Sequence, residues 1–441
     1  MNPSTLPPHS LPAPLRDQDA PATRTTGRFA RLPVLAGRSF IPLGLLARLP
    51  LAMLTVGALT LVTSATGSYA VGGTAAGAVG IGSALGAPVL GSLADRRGQR
   101  PVLLAAAVLN AAAVVTLIAA ASVMPAADGF PAAVLAAAFA AGASCPQVGP
   151  LARVRWMALT SRGGPGSTQD LDTALSYEST ADEITFVLGP ALVGILASLV
   201  APWLPLALAA ALTVTLVPAF AVHRTHAAVA PDKAVSPNKA DAAVARPRTA
   251  GSPAPRIPAA AVLPVLAMVC MGTFFGSTQT ALSSFSASIA TSELAGLLYA
   301  VMGLSSAAAA LSVAYWPPGL TASARWVISA ALMAVLAFLL LIPVTAGGMV
   351  AVLLILGLPV GPVMVTVFAT GGLVAPPGRL GTVMTALASG IVAGTAVGSS
   401  VAGQLAQVHG YSAAFLVPAG AATGLFLLGA ASAVVLRGRR A

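Results

Sequence analysis

Charge is scarce in this chain of 441 residues: Asp, Glu, Lys and Arg together make up 8% of it. A soluble domain carries about a quarter, so a water-soluble globular protein is excluded. Lysine is scarcer still, with only Lys233 and Lys239, and no G-x-x-x-x-G-K-[ST] loop is present. An ATP-driven pump using its own nucleotide site is therefore excluded. Two cysteines, Cys145 and Cys270, make neither a disulfide framework nor a thiolate cluster. His223 and His226 form an H-x-x-H pair in a polar stretch without a further ligand beside it, which reads as solvated linker and not as a metal site. No histidine and no G-x-S-x-G falls inside an apolar segment, so the constellations of a membrane-embedded enzyme are missing. The expectation is a protein without catalysis, cofactor or metal. Period-2 alternation is also missing, which argues against a membrane barrel.

What the chain has is apolar length. It is 57% hydrophobic, with a mean hydropathy of +0.88. Apolar stretches of about 20 residues recur, each enough to cross roughly 30 Å of hydrocarbon as a helix. The fold class is all-α and polytopic. The pattern predicts twelve spans, at about 40–62, 69–92, 101–123, 131–152, 180–201, 203–222, 259–287, 294–314, 325–344, 348–370, 381–407 and 412–435. Residues 1–38 are rich in Pro, Arg and Thr, lack the apolar run of a signal peptide, and read as a disordered tail. A six-helix bundle over 39–222, a basic Pro/Ala-rich linker over 223–258, a second bundle over 259–436 and a tail over 437–441 complete the division.

The cations set the orientation. With twelve spans threaded, Arg96, Arg97 and Arg100 follow the second, Arg153, Arg155 and Arg162 follow the fourth, and all share one face with the tail and linker cations, Arg325 and Arg379. Arg48 alone lies inside a span, and the opposite face carries only Asp128, Glu293 and His409 as titratable loop groups. This positive-inside pattern predicts that both termini are cytoplasmic. The net charge of +11 then reports contact with anionic lipid at that face, not with nucleic acid.

The densest charge lies in Gly91-Ser92-Leu93-Ala94-Asp95-Arg96-Arg97-Gly98-Gln99-Arg100, read as a loop between two apolar spans. Gly91 lets the end of a helix approach a neighbour, Gly98 supplies turn geometry, and Asp95 can accept from helix N-terminal amides. The loop Gly91-x-x-x-Asp95-Arg96-x-Gly98-x-Arg100 resembles the loop 2–3 signature of the major facilitator superfamily, G-x-x-x-D-R-x-G-R-R, with Gln99 where a basic residue is usual. Twelve spans split by a central linker are similar to that family's layout. The resemblance implies two six-helix halves that the loop latches together on the cytoplasmic side, and helix pairs 2/11 and 5/8 facing each other across them. Phe186-Val187-Leu188-Gly189-Pro190-Ala191-Leu192-Val193-Gly194 resembles, in part, the helix 5 signature of drug/proton antiporters through Gly189, Pro190 and Gly194; a generic Gly/Pro kink is the plainer alternative.

Two glycine stripes, Gly73, Gly77, Gly82 and Gly86 in span 2 and Gly390, Gly394 and Gly398 in span 11, suit closely packed helices. With the resemblance they suggest a moving interface between the halves, although fixed packing uses glycine equally. Arg48 in span 1 needs a partner. Asp182 and Glu183, read in the first turns of span 5, are the candidates, with Arg155 as an alternative cation for them. One acid carrying a proton and a structural salt bridge at the rim both remain open. The resemblance implies a cavity lined by helices 1, 4, 7 and 10. Candidates there are Phe274, Phe275, Thr278 and Gln279 in span 7, with Gln147 in span 4, Thr366 in span 10 and Asn110 in span 3. With Arg48 as the one available cation, this lining suits an uncharged or weakly polar organic molecule.

The Ala- and Arg-heavy, Lys-poor usage suggests a GC-rich bacterial genome. Arg48-Leu49-Pro50, Tyr177-Glu178-Ser179 and Asp182-Glu183, with the loop, resemble actinobacterial multidrug and sugar efflux permeases. The resemblance implies a monomeric exporter in the bacterial cell membrane that moves a small molecule in exchange for protons. An importer or a sugar efflux permease is the alternative, and a sensor or membrane-embedded enzyme has little in the sequence to support it.

Overall fold

The computed structural model describes residues 27–123, 132–161, 166–229, 259–289, 294–317 and 319–437. Residues 1–26, most of the linker, Asp128, Arg162, Glu293 and the end of the C-terminal tail lie outside the described residues. Within them no strand occurs, and twelve helices are long and apolar enough to cross a membrane. They are α1 Phe40–Thr66, α2 Val71–Arg97, α3 Gln99–Ser122, α4 Ala132–Ser161, α5 Ser167–Leu199 and α6 Leu204–Val222, then α7 Val262–Ile289, α8 Leu294–Tyr315, α9 Ala322–Leu341, α10 Ala346–Val374, α11 Leu380–His409 and α12 Tyr411–Leu436.

Three helix ends differ from the expectation, all at the Arg-rich face. The supposed loop 91–100 is helical as far as Arg97, and only Gly98, at φ 88°, breaks the chain before α3. The fourth span runs on to Ser161, which takes Arg153 and Arg155 out of the loop and into the bundle, both fully buried. The fifth begins at Ser167, so Asp182 and Glu183 lie near the middle of α5 and not in its first turns. Asp170, Asp172 and Glu178 give that segment the look of a loop. Each is met by an arginine from elsewhere in the chain, namely Arg31, Arg325 and Arg48, and so the helix continues.

Proline breaks two helices where the site forms. In α1 the helical run stops at Leu46 and resumes at Leu49. Pro50 lacks the amide and its ring opposes the carbonyl four residues back, which leaves Arg48 at the break. In α4 the run stops at Ala143 and resumes at Val148, with Ser144–Gln147 unwound between. Pro146 and Pro150 act there together.

Residues 28–36 are helical, against the expectation of a disordered tail over 1–38. Arg28–Arg31 and Leu32–Ala36 form two short helical turns. Leu32 and Ala36 are buried in the same apolar cluster as Phe40, Trp156 and Phe220. Burying these side chains offsets the entropy of holding the segment on the face. Its other side reaches the second half: Arg28 donates to the Ala314 carbonyl and its guanidinium lies 5.2 Å from the Tyr315 ring centroid.

The halves meet along α2–α11 and α5–α8, as the resemblance implied. The glycine stripes, however, do not line that seam. Gly390, Gly394 and Gly398 press on Val265, Val269 and Thr273 of α7, and a Cβ on Gly394 would lie 2.8 Å from the Thr273 amide nitrogen. Gly82 and Gly86 press on Phe139 and Ala143 of α4, while Gly73 and Gly77 meet nothing within 4 Å. The stripes therefore fix packing inside each half. A helical spacing of small residues specifies a face but not the neighbour.

Candidate functional site

At the break in α1, Arg48 is 5% exposed and faces α5. It pairs with the Glu178 carboxylate through Nη2, and its Nη1 donates to Asp182 Oδ1 at 2.9 Å and to the Glu178 carbonyl at 3.1 Å. Glu178 and Asp182 are one helical turn apart and share a face of α5. Glu183, a residue further round, does not reach Arg48; its Oε1 accepts from Ser306 Oγ of α8 at 2.9 Å. Of the two expected partners of Arg48, then, Asp182 takes the role and Glu183 does not.

Arg153 is the second cation of the cluster. Its Nη2 donates to Asp182 Oδ2 at 2.7 Å, and its guanidinium stacks 3.8 Å from the centroid of Phe368 in α10. Trp156 Nε1 donates to Glu178 Oε1 at 2.7 Å. Arg155, the alternative cation for the acids, turns away from them. Its Nε donates to Gln99 Oε1 at 2.8 Å and its Nη1 to the Phe220 carbonyl and Thr225 Oγ1. This also accounts for Gln99 in the signature: a basic side chain there would face a buried guanidinium. Thr225 belongs to the short turn Arg224–Val229 after α6; just before it stands His223, whose imidazole is held below its ordinary range by partial burial, then by Arg155, Arg224 and His226.

A cavity of about 50 Å³ lies beside this cluster, with room for a few waters. Its polar lining includes Arg48, Gln147, Arg153, Asp182 and Ser389, and its apolar lining includes Phe186 and Phe368. The lining comes from α1, α2, α4, α5, α10 and α11, with none from α7. Of the substrate-cavity candidates Asn110, Gln147, Phe274, Phe275, Thr278, Gln279 and Thr366, only Gln147 is in it. Phe274 and Thr278 are buried, Phe275 is partly buried and Gln279 is exposed. Thr366 Oγ1 donates to the carbonyls of Pro362 and Val363, within its own helix. Asn110 Nδ2 ties α3 to the Ala141 carbonyl of α4. The expectation of Arg48 as the one cavity cation is likewise overturned by Arg153. Its signal was the pair Pro146 and Pro150: proline suits the first turn of a helix, so a new run that starts there extends past residue 152.

The signature residues lie at the Arg-rich end of the same seam. Gly91 abuts Gly381 and Thr385 of α11. Asp95 accepts from the backbone amides of Gly381 at 2.8 Å and Thr382 at 2.7 Å, and from Thr382 Oγ1 at 2.7 Å. It thus caps the start of α11 from the other half, where the free amides and helix dipole favour an anion. Arg96, Arg97 and Arg100 are exposed. In the helix 5 motif, Gly189 packs on Ala52 of α1, and Gly194 is exposed with nothing within 4 Å. Pro190 lies inside a continuous α5.

Among the described residues, hydrogen bonds and ion pairs between the halves occur only from the middle of the bundle to the Arg-rich end. They are those of Asp95, the Glu183–Ser306 bond, Thr180 to the Ala307 carbonyl, Asp172–Arg325 and Arg28 to Ala314. No group of three or more His, Cys, Asp or Glu able to hold a metal occurs among these residues.

The family model described as Major Facilitator Superfamily matches residues 41–390. No curated protein matches in sequence. Among solved structures, the human organic anion transporter MFSD10 (TETRAN) is 21% identical, with 92% of this chain and 100% of that chain covered at a TM-score of 0.64. The E. coli fucose:proton symporter FucP is 16% identical, with 90% and 99% covered and a TM-score of 0.59. A bacterial homologue of the iron transporter ferroportin, in an outward-facing state, is 13% identical, with 90% and 98% covered and a TM-score of 0.64. At these identities the likeness is one of fold.

Proposed function

We propose, on the premise that this chain belongs to the major facilitator superfamily, that it is a secondary active transporter exporting a small organic molecule, a drug-like compound or metabolite, in exchange for protons. The observation that carries the reading is the one-ended seam. Two helix bundles touch through polar contacts at one end, and a buried charge cluster with a small cavity sits where those contacts stop. Rocking the halves about that point would expose the cluster to either side in turn. With the arginine-rich face in the cytoplasm of a bacterial cell membrane, the arrangement seen is the outward-facing one. The transporter works as a monomer, with anionic lipid against that face.

The acids divide the labour. Glu178 and Asp182 are balanced by arginines, whereas Glu183 bonds only to the Ser306 hydroxyl across the seam. Opening the Arg-rich end would part Glu183 from Ser306 and give it access to water on that side. Glu183 therefore carries the proton in this scheme. Asp182 holds the cavity arginines.

Proteoliposomes under an imposed pH gradient, loaded in turn with dyes, hydrophobic antibiotics and small sugars, test this. We expect gradient-driven movement by the wild type. Glu183→Gln should lose the response to the gradient and keep exchange at equilibrium. Gradient coupling unchanged in Glu183→Gln overturns the proton assignment, and accumulation with the proton flux instead of against it makes the protein a symporting importer.

A further inference from the structure

Every unused hydrogen-bonding atom in the charge cluster is a donor. Glu178 accepts through both carboxylate oxygens, from Trp156 and Arg48, and Asp182 through both of its own, from Arg48 and Arg153. In these two acids and the two arginines that meet them, the buried atoms left without a partner are Arg48 Nε and Arg153 Nε and Nη1. Arg153 is 0% exposed and lines the cavity. Leaving such donors unmatched is costly, and a group that only accepts is what they fit.

The backbone adds to this. The break in α4 leaves Val148–Ser161 as a helix of 14 residues whose first turn, with Gly149 and Pro150, lines the cavity. A broken membrane helix that starts at a cavity turns its positive dipole end toward the space. Gly149 marks the point of convergence. A Cβ built there would lie 3.7 Å from Arg153 Nη1, 3.7 Å from Arg48 Cζ and 3.2 Å from Asp182 Oδ1, so a side chain at this position would crowd the Asp182 carboxylate between the two guanidiniums. Leu51, Phe186, Phe368 and Ile391 give the remaining wall an apolar character.

We infer that this is a binding site for the carboxylate of an organic monoanion, with its apolar body against the phenylalanines. The Asp182 carboxylate now bridging the arginines is the group with which it competes. The inference rests on the transporter reading above and makes its small organic cargo an acid, in place of the uncharged molecule expected from the sequence.

Binding to the full-length protein in nanodiscs, measured by calorimetry at neutral pH, tests the site. The probes are formate, acetate and propionate, each against its own amide. A charge-assisted hydrogen bond is worth about 1.5–3 kcal/mol, so at least one acid should bind about tenfold to a hundredfold more tightly than its amide. Arg153→Gln should abolish that preference. Asp182→Asn removes the competing charge, and should tighten the acid by about tenfold while leaving the amide unchanged. That gain keeps the test decisive if Arg153→Gln fails to fold, because a merely structural Asp182 predicts no gain. If the donors serve only water, acids and amides bind alike in the wild type and in Asp182→Asn, and the site is overturned. Acid binding without movement of any compound across proteoliposomes would sink the transporter reading and keep the site. Movement of neutral compounds with no acid preference would do the reverse.

Discussion

The two halves are built on different principles. In the C-terminal half one apolar cluster runs unbroken through all six helices, from Met268 and Phe285 to Met364, Phe368 and Leu425. In the N-terminal half the core is divided among three clusters, the smallest of them Leu49, Met53, Val193 and Ala209. Of the two larger, one holds Leu32, Phe40, Trp156 and Phe220 at the Arg-rich end, and the other holds Leu54, Val114 and Leu206 at the opposite end. Between them lies the layer of Arg48, Arg153, Glu178 and Asp182. Across the seam the same division recurs. The N-terminal half offers charges, and the C-terminal half answers with backbone amides, carbonyls, a hydroxyl and a ring, as at Gly381, Ala314, Ser306 and Phe368. Backbone groups and apolar faces keep their character in any state, so the C-terminal half serves as a fixed counter-surface. The groups whose pairing can change are gathered in the other.

The comparison breaks most visibly at Glu178. Removing one member of a buried ion pair leaves an uncompensated charge and costs about 3–5 kcal/mol. Glu178→Gln should therefore lower the thermal unfolding midpoint in detergent by several degrees, and an unchanged midpoint would mean that the charged layer is not what joins the two larger N-terminal clusters. In the C-terminal half the comparable weakness is steric. Gly394→Ala drives a methyl group against the α7 backbone and should cost about 1–3 kcal/mol. Gly77→Ala, with nothing within 4 Å, should stay within about 0.5 kcal/mol. Equal losses at both positions would mean that the open end of the α2 stripe at Gly77 is a contact surface too.

The latch comes next in size. Asp95→Asn keeps an acceptor but discards the charge that three donors address. The seam is partly solvated there, so we expect a shift of about 1–2 kcal/mol toward opening of the Arg-rich end. Spin labels at Arg100→Cys and Arg379→Cys should report it as a growing population of longer distances. A distribution unchanged from the wild type would leave Asp95 no part in holding the halves together.

How much of this was legible follows from what a hydropathy pattern can register. The twelve spans were legible because lipid exacts a cost for every polar residue. The Asp95 latch was legible because its glycines, acid and arginines are local. The partner of Arg48 was half legible. Glu178 and Asp182 stand at i, i+4, a spacing that names one helix face, but the acids themselves made the start of α5 look like loop. Arg153 and Arg155 were misplaced for the same reason, since a window counts a guanidinium as exposed whether or not a carboxylate or a phenyl ring awaits it. The turns at Arg28–Ala36 escaped because each is too short to show a period. The α7 polar cluster misled because its hydroxyls bond largely to their own helix, as Ser277 does to the Thr273 carbonyl.

Asp172–Arg325 is the one ion pair across the seam to which the C-terminal half contributes a charge, among the described residues. Arg325 Nη1 donates to Asp172 Oδ2 at 2.8 Å and Nη2 to the Pro317 carbonyl at 3.1 Å. Its side chain is 6% exposed, while that of Asp172 is 23% exposed, so water reaches the acid and screens the pair. If charge is kept on one side so that the other stays fixed, this bridge should add little to closure. A double-mutant cycle with Asp172→Asn and Arg325→Gln, read by the same spin-label distances, should give a coupling of about 0.5–1 kcal/mol. Removing Arg325 alone should cost more than removing Asp172 alone, because the buried guanidinium also ties the start of α9 to the turn after α8. A coupling as large as the Asp95 effect would place a second latch in the C-terminal half, and the division between a chemical half and a fixed half would then fail at the arginine-rich end.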